Sequence, residues 1–308
     1  MKKTFIGNED AYKQLTGYLD MKHPGPLILY GKKGLGKRMA AEETASAILG
    51  CGREELGHNV DFYLLDKQND PVRVEDILTL LEKSSIAALG TCKVCLICHA
   101  EKMNVQAQNK LLKLLEDRNR TNIVILLCER GTLLDTIKSR CLTISFFPLS
   151  DKEMSSYLAS KGVSDEDTGL AGFICGNCPY HWEEVSDYFP ALKDIGMQIQ
   201  KISTREELFR VFHLIQEKDA GEFYAVHSGH YIEALSMIQY LFFSLLTIKT
   251  AAPSYKMLED DFGNLKDLYT VRDLSAVCSE IAKHQKKWLS GAYSKNDFFD
   301  LVRNMVRA

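Results

Sequence analysis

Apolar residues follow two different spacings along this chain. In the first half, short runs that are apolar throughout alternate with stretches whose apolar positions recur every three or four residues. The runs are LIL at 27–29, FYLL at 62–65, KVCLIC at 93–98, NIVILLC at 122–128 and LTISFF at 142–147. Each is too short for a helix and has no polar face, which predicts strands buried on both sides. Between them the spacing is helical. Asn8 stands as a cap before a segment with Ala11, Leu15 and Leu19 in register, and MAAEETASAIL fills 39–49. A helix over 74–84 is expected to bury Ile77, Leu78 and Leu81, and another runs over 106–117. Alternating strands and helices predict an α/β domain with a parallel sheet covered on both faces.

Pro148 ends this pattern, and only helical periodicity follows. Ser150 and Glu153 form a capping box at the start of the next helix. Helices are predicted over 206–216, 231–250 and 273–288. The division expected is an α/β domain at 1–149, a small helical segment at 150–190 and an all-α domain at 191–308. The longest apolar stretch, 238–248, is too short to span a bilayer and reads as a buried helix. Its apolar face exceeds what a small isolated bundle hides, so contacts with other subunits are expected there.

Charge narrows the partners. Over 308 residues the net charge is -3, so no global field draws the chain to nucleic acid. DNA contact would come from local patches or from partner subunits. The basic run 283–287 (KHQKK) reads as a solvated helix face. MKKTFIGNED at the start lacks the apolar core of a signal peptide. Nine cysteines, several inside apolar runs, suit free thiols in a reducing cytoplasm.

The candidate chemistry begins where the first strand ends. GKKGLGK at 31–37 follows LILY and precedes a helix, the context in which a glycine loop wraps backbone N–H groups around phosphate. Gly31, Gly34 and Gly36 would form the loop, and Lys37 would reach the terminal phosphates. The next position should carry a Ser or Thr hydroxyl for Mg²⁺, and it is Arg38. A later strand should end in Asp-Glu to hold the metal and the attacking water. The strand 93–97 is followed instead by Cys98 and His99, with Glu101 three residues past Cys98.

The other cysteines and histidines offer less. Cys92, Cys95 and Cys98 are three apart on a strand, so neighbours point to opposite faces and read as core thiols. Cys175 and Cys178 lack a second pair. Among the histidines, His23, His181, His213, His227, His230 and His284, only His227 and His230 are grouped in a ligand-like way, and those two read as loop or helix-surface residues.

The succession IGNE (6–9), GKKGLGK (31–37), AEKMNVQAQNKLLKLLED (100–117) and TIKSRC (136–141) resembles the AAA+ subunits of bacterial clamp loaders. The resemblance covers residues 1 to about 150 well. It is weak around Gly176 and Asn177 and nearly absent over the last hundred residues. It implies an AAA+ P-loop domain, a helical lid at 150–190 and an oligomerising collar at 191–308. It also implies that Arg140, with Ser139, acts as an arginine finger on ATP held by a neighbouring subunit. Working ATPase members carry Thr at Arg38, Asp-Glu at Cys98 and His99, a polar sensor at Leu127 and Cys128, and an Arg soon after the position of Gly176 and Asn177. None of these is present, which fits a subunit that does not hydrolyse ATP. Many members hold zinc through four cysteines between the P-loop helix and the next strand. Only Cys51, with His58, stands there, so zinc is not expected. No cofactor is required by this reading, though the loop allows ATP or ADP without Mg²⁺. The implied partners are the tau/gamma-type ATPase and delta subunits and, through them, the sliding clamp and primer-template DNA. Two alternatives remain: an active AAA+ ATPase using Glu101 as its acid, and an AAA+ regulatory scaffold unrelated to clamps.

Overall fold

The structure is a computed structural model that describes residues 2–68, 70–116, 121–129, 131–210, 231–250, 262, 264–290 and 295–307. His213, His227, His230 and most of the helix expected over 206–216 lie outside the described residues. The chain divides into two compact units. The first holds 1–149 together with 178–180, and the second holds 150–177 and 181–308.

In the first unit, α1 (Glu9–Leu19) precedes β1 (Leu27–Tyr30), and α2 (Lys37–Leu49) follows it. Then come β2 (Phe62–Leu65), α3 (Val74–Ser85), β3 (Lys93–Ile97), α4 (Val105–Leu115), β4 (Asn122–Cys128), the short α5 (Asp135–Lys138) and β5 (Leu142–Ser145). The five strands form one parallel sheet in the order β2-β3-β4-β1-β5. The apolar runs are explained by burial on both faces. Leu27, Leu29, Val94, Leu96, Ile125 and Leu127 enter one core. Their neighbours Ile28, Cys95, Ile97, Val124 and Leu126 enter the other. Cys92 and Cys98 lie with the first set and Cys95 with the second, as the period of two requires. Burial pushes the Cys95 thiol up to about 12.

Three local expectations are corrected. Leu78 is exposed, and α3 buries Ile77 and Leu80 instead, since successive helical residues turn by about 100°. Asn8 does not cap α1 with its side chain. Its amide instead clasps the Phe147 backbone, with Nδ2 donating to the carbonyl at 3.0 Å and Oδ1 accepting from the N–H at 2.7 Å. Within the basic run 283–287, His284 faces inward and is buried.

The second unit is helical throughout its described residues. It contains α6 (Asp151–Ser160), α7 (Thr168–Ile174), the continuation of α8 (Pro179–Val185), α9 (Phe189–Gln200), α10 (Tyr231–Lys249), α11 (Leu265–Leu268), α12 (Val271–Leu289) and α13 (Lys295–Arg307). The capping box is present: Ser150 Oγ accepts from the Glu153 N–H at 3.3 Å, and Glu153 accepts from the Ser150 N–H at 2.9 Å. α10 packs against α7, α9 and α12. The helix is the one expected over 231–250, and its residues 232–249 are long and apolar enough to cross a bilayer by length and composition, more than the stretch 238–248 suggested. The protein itself buries 67% of residues 232–249.

Candidate functional site

The glycine loop lies at the C-terminal end of β1, where ligands bind in open parallel sheets. Gly36 begins α2 in the left-handed region at φ 82°. A Cβ there would stand 2.8 Å from the Tyr180 ring and 2.9 Å from Phe5 Cβ, so only glycine fits. Lys37 is the first residue of α2, buried to 7% exposure. Its ammonium donates to the carbonyls of Gly31 at 2.5 Å and Lys32 at 2.6 Å, folding back over the loop. Burial pulls the Lys37 pKa below its ordinary value, with the charges of Glu129 and Glu101 opposing that pull.

Arg38 occupies the place of the metal-binding hydroxyl and is itself held by acids. Its Nε donates to Glu42 at 3.0 Å and its Nη1 to Asp66 at 2.5 Å. Glu42 also accepts from Arg53 at 2.9 and 2.7 Å. Burial works to raise the Asp66 pKa. The Gln68 N–H and the Arg38 guanidinium outweigh it, so the carboxyl stays below the usual range. Cys98, where the metal-binding acid would stand, is a buried thiol pushed up to about 12.

His99, also in the left-handed region at φ 54°, opens a short turn over Ala100–Lys102. Its Nδ1 lies 3.8 Å from Glu101 Oε1. Glu101 Oε2 accepts from the backbone N–H of Glu129 at 3.2 Å. The sequence reading missed Glu129. The only signal was its place one residue past Cys128, at the end of β4.

Tyr180 was also missed. It follows Gly176 and Asn177, where an Arg was sought. Its backbone N–H donates to the Gly34 carbonyl at 3.0 Å, and its hydroxyl accepts from the Ile6 N–H at 3.1 Å. An aromatic ring, with no formal charge, therefore lies against the loop.

Ser139 and Arg140 sit far from these groups. Arg140 precedes Leu142, which pairs with Leu27 at the start of β1, whereas the glycine loop follows Tyr30 at the other end. Four strand residues separate the two ends by about 13 Å. Arg140 Nη1 donates to the Thr136 carbonyl at 2.9 Å, and Nη2 pairs with Glu116 at 2.8 Å. Ser139 Oγ donates to the same carbonyl at 3.1 Å. The structure thus brings Gly31, Gly34, Gly36, Lys37 and Arg38 together and leaves Ser139 and Arg140 at the opposite end of the strands.

Residues 7–150 match the family described as DNA polymerase III, delta subunit. The chain is 25% identical over 263 residues to the delta-prime subunit of DNA polymerase III from Bacillus subtilis, covering 78% of this chain and 77% of that one. It is 34% identical over 184 residues to the Pseudomonas aeruginosa delta-prime subunit, covering 54% of this chain and 55% of that one. Replication factor C subunit 4 of Schizosaccharomyces pombe is 25% identical over 174 residues, covering 55% of this chain and 50% of that one. The chain thus spans about half the length of these last two relatives. Among solved structures, a gamma subunit-related protein of DNA polymerase III from Thermotoga maritima is 16% identical, covering 96% of this chain and 98% of that one at a TM-score of 0.41. The glycine-loop domain, residues 7–150, thus matches the DNA polymerase III delta-subunit family, and the chain is similar to delta-prime subunits of that polymerase.

Proposed function

We propose that this chain is a delta-prime-like subunit of the DNA polymerase III clamp loader that does not hydrolyse ATP itself. In this reading it offers Arg140 to ATP held by a neighbouring tau/gamma-type subunit. A planar, permanently charged guanidinium is suited to stabilising charge on a γ-phosphate. With a delta subunit, the assembly would open the sliding clamp and place it on primer-template DNA in the cytoplasm. The segments 150–190 and 191–308 would serve as lid and collar.

The observation that carries the reading is the Arg38 fork. It fills the magnesium position with a cation already paired to Glu42 and Asp66. With Cys98 in place of the acid, neither usual protein ligand of the metal remains. Arg140, at the other end of the strands, is placed away from the chain's own glycine loop and suits action in trans.

The test is the ATPase activity of a loader reconstituted with Arg140→Ala. A loss of about 10³-fold or more in DNA-stimulated hydrolysis, with assembly intact, supports the finger. Full activity overturns it. Nucleotide titration of the isolated chain checks the remaining part. Binding that is absent or independent of Mg²⁺ fits, and tight Mg²⁺-dependent binding favours an active ATPase.

A further inference from the structure

Three side chains beyond the usual magnesium positions converge at the C-terminal ends of β3 and β4. His99, Glu101 and Glu129 each offer one ligand atom, and these atoms lie within 4.8 Å of one another. The group is a mixed set of one imidazole and two carboxylates from two separate strand ends. Metals hold such ligands at about 2.0–2.2 Å, which sets the donor atoms roughly 3 to 3.6 Å apart. His99 Nδ1 and Glu101 Oε1 are already 3.8 Å apart. Small side-chain rotations therefore close the set. The two strand ends are already linked, because the Glu129 backbone N–H donates to the Glu101 carboxylate. All three residues are half-buried, which limits competing water while leaving a route for an ion.

The charge balance points the same way. Two carboxylates and one imidazole lie together in a partly desolvated place. The Lys37 ammonium feels both carboxylates, yet donates to the Gly31 and Lys32 carbonyls. A divalent cation would compensate both charges directly.

We propose that His99, Glu101 and Glu129 form a binding site for a divalent transition-metal ion. A nitrogen and two oxygen donors suit manganese, cobalt or zinc better than magnesium or calcium, which prefer oxygen alone. The site uses neither Arg38 nor Cys98, needs no nucleotide, and stands independently of the role given to Arg140. It revises the expectation that the chain holds no metal.

The test uses the intact chain, stripped with a chelator and titrated with Mn²⁺ without nucleotide, following free Mn²⁺ by electron paramagnetic resonance. Manganese is chosen because the free thiols would compete for zinc. One ion per chain is expected, with affinity at least tenfold weaker in His99→Ala and in Glu129→Gln. Pulsed resonance on the unsubstituted protein gives a readout independent of how the variants fold. The bound ion should show coupling to one imidazole nitrogen. Absence of binding, absence of that coupling, or equal affinity in folded His99→Ala and Glu129→Gln overturns the site.

Discussion

The Arg38 guanidinium donates to the Asp66 carboxylate at 2.5 Å, joining the first turn of α2 to the end of β2. The pair is partly open, with the Arg38 side chain 50% exposed, so its contribution to stability is expected to stay below about 1 kcal/mol. Its pH dependence is specific. The folded Asp66 pKa is depressed, so the contribution is present above the unfolded value near 3.9 and lost as pH falls through the folded one. Urea denaturation between pH 3 and 6 should show wild type and Arg38→Ala converging at the acid end and separating above it. A constant difference across that range would rule out the linkage.

Among the described residues, Arg140 is held by exposed partners, the Glu116 carboxylate and the Thr136 carbonyl. Arg140→Ala should therefore shift stability by no more than about 1 kcal/mol, read as a melting-temperature change of a few degrees. Glu116→Gln removes a competitor for the guanidinium. In a reconstituted loader it should keep or raise ATPase activity. A fall to the level of Arg140→Ala would mean that Glu116 aims the finger instead of competing for it.

Gly36→Ala should be among the costly single substitutions in the first unit. The backbone sits at φ 82°, and the new methyl would meet Tyr180 at 2.8 Å and Phe5 Cβ at 2.9 Å. Left-handed strain and the clash together are expected to cost about 1–3 kcal/mol. Denaturant unfolding would measure this, and adding Tyr180→Ala should recover only part, because Phe5 and the backbone strain remain. A neutral Gly36→Ala would contradict the observed loop geometry.

His181 and Glu233 form a part-buried pair in the second unit, with Nε2 and Oε1 3.1 Å apart. Burial alone would lower the His181 pKa. The Glu233 hydrogen bond and charge, with Glu184 and the Cys175 backbone adding, raise it above the ordinary value. The pair's stabilisation is therefore complete below the unfolded histidine value near 6.5 and is lost as pH rises through the folded one. Melting temperatures from pH 5.5 to 9 should fall more steeply for wild type than for His181→Gln. Parallel curves would show that folding does not raise the His181 pKa.

Much of the first unit was legible because both faces of a parallel sheet are buried. That leaves runs such as NIVILLC apolar throughout and makes each strand visible. The capping box at Ser150 was equally plain, because it depends on residues three apart. Leu78 was misplaced because a short amphipathic helix admits two neighbouring faces, and the neighbour in space selects one. The glycine loop and the absent magnesium ligands were read from adjacent positions. The pairing of Arg38 with Asp66 was not, since Asp66 lies 28 residues away, whereas Glu42 is one helical turn along α2.

The sequence by itself determined the alternation of strands and helices, the loop from Gly31 to Lys37, and the loss of the hydroxyl and the acid. These depend on local spacing and on side-chain type. Only the tertiary structure decided that Asp66 pairs with Arg38, that Tyr180 lies on the loop, that Glu129 joins His99 and Glu101, and that Arg140 stands at the opposite end of the strands. The physical reason is that strand order places residues distant in sequence side by side. A chain of parallel strands does not reveal that order along its length.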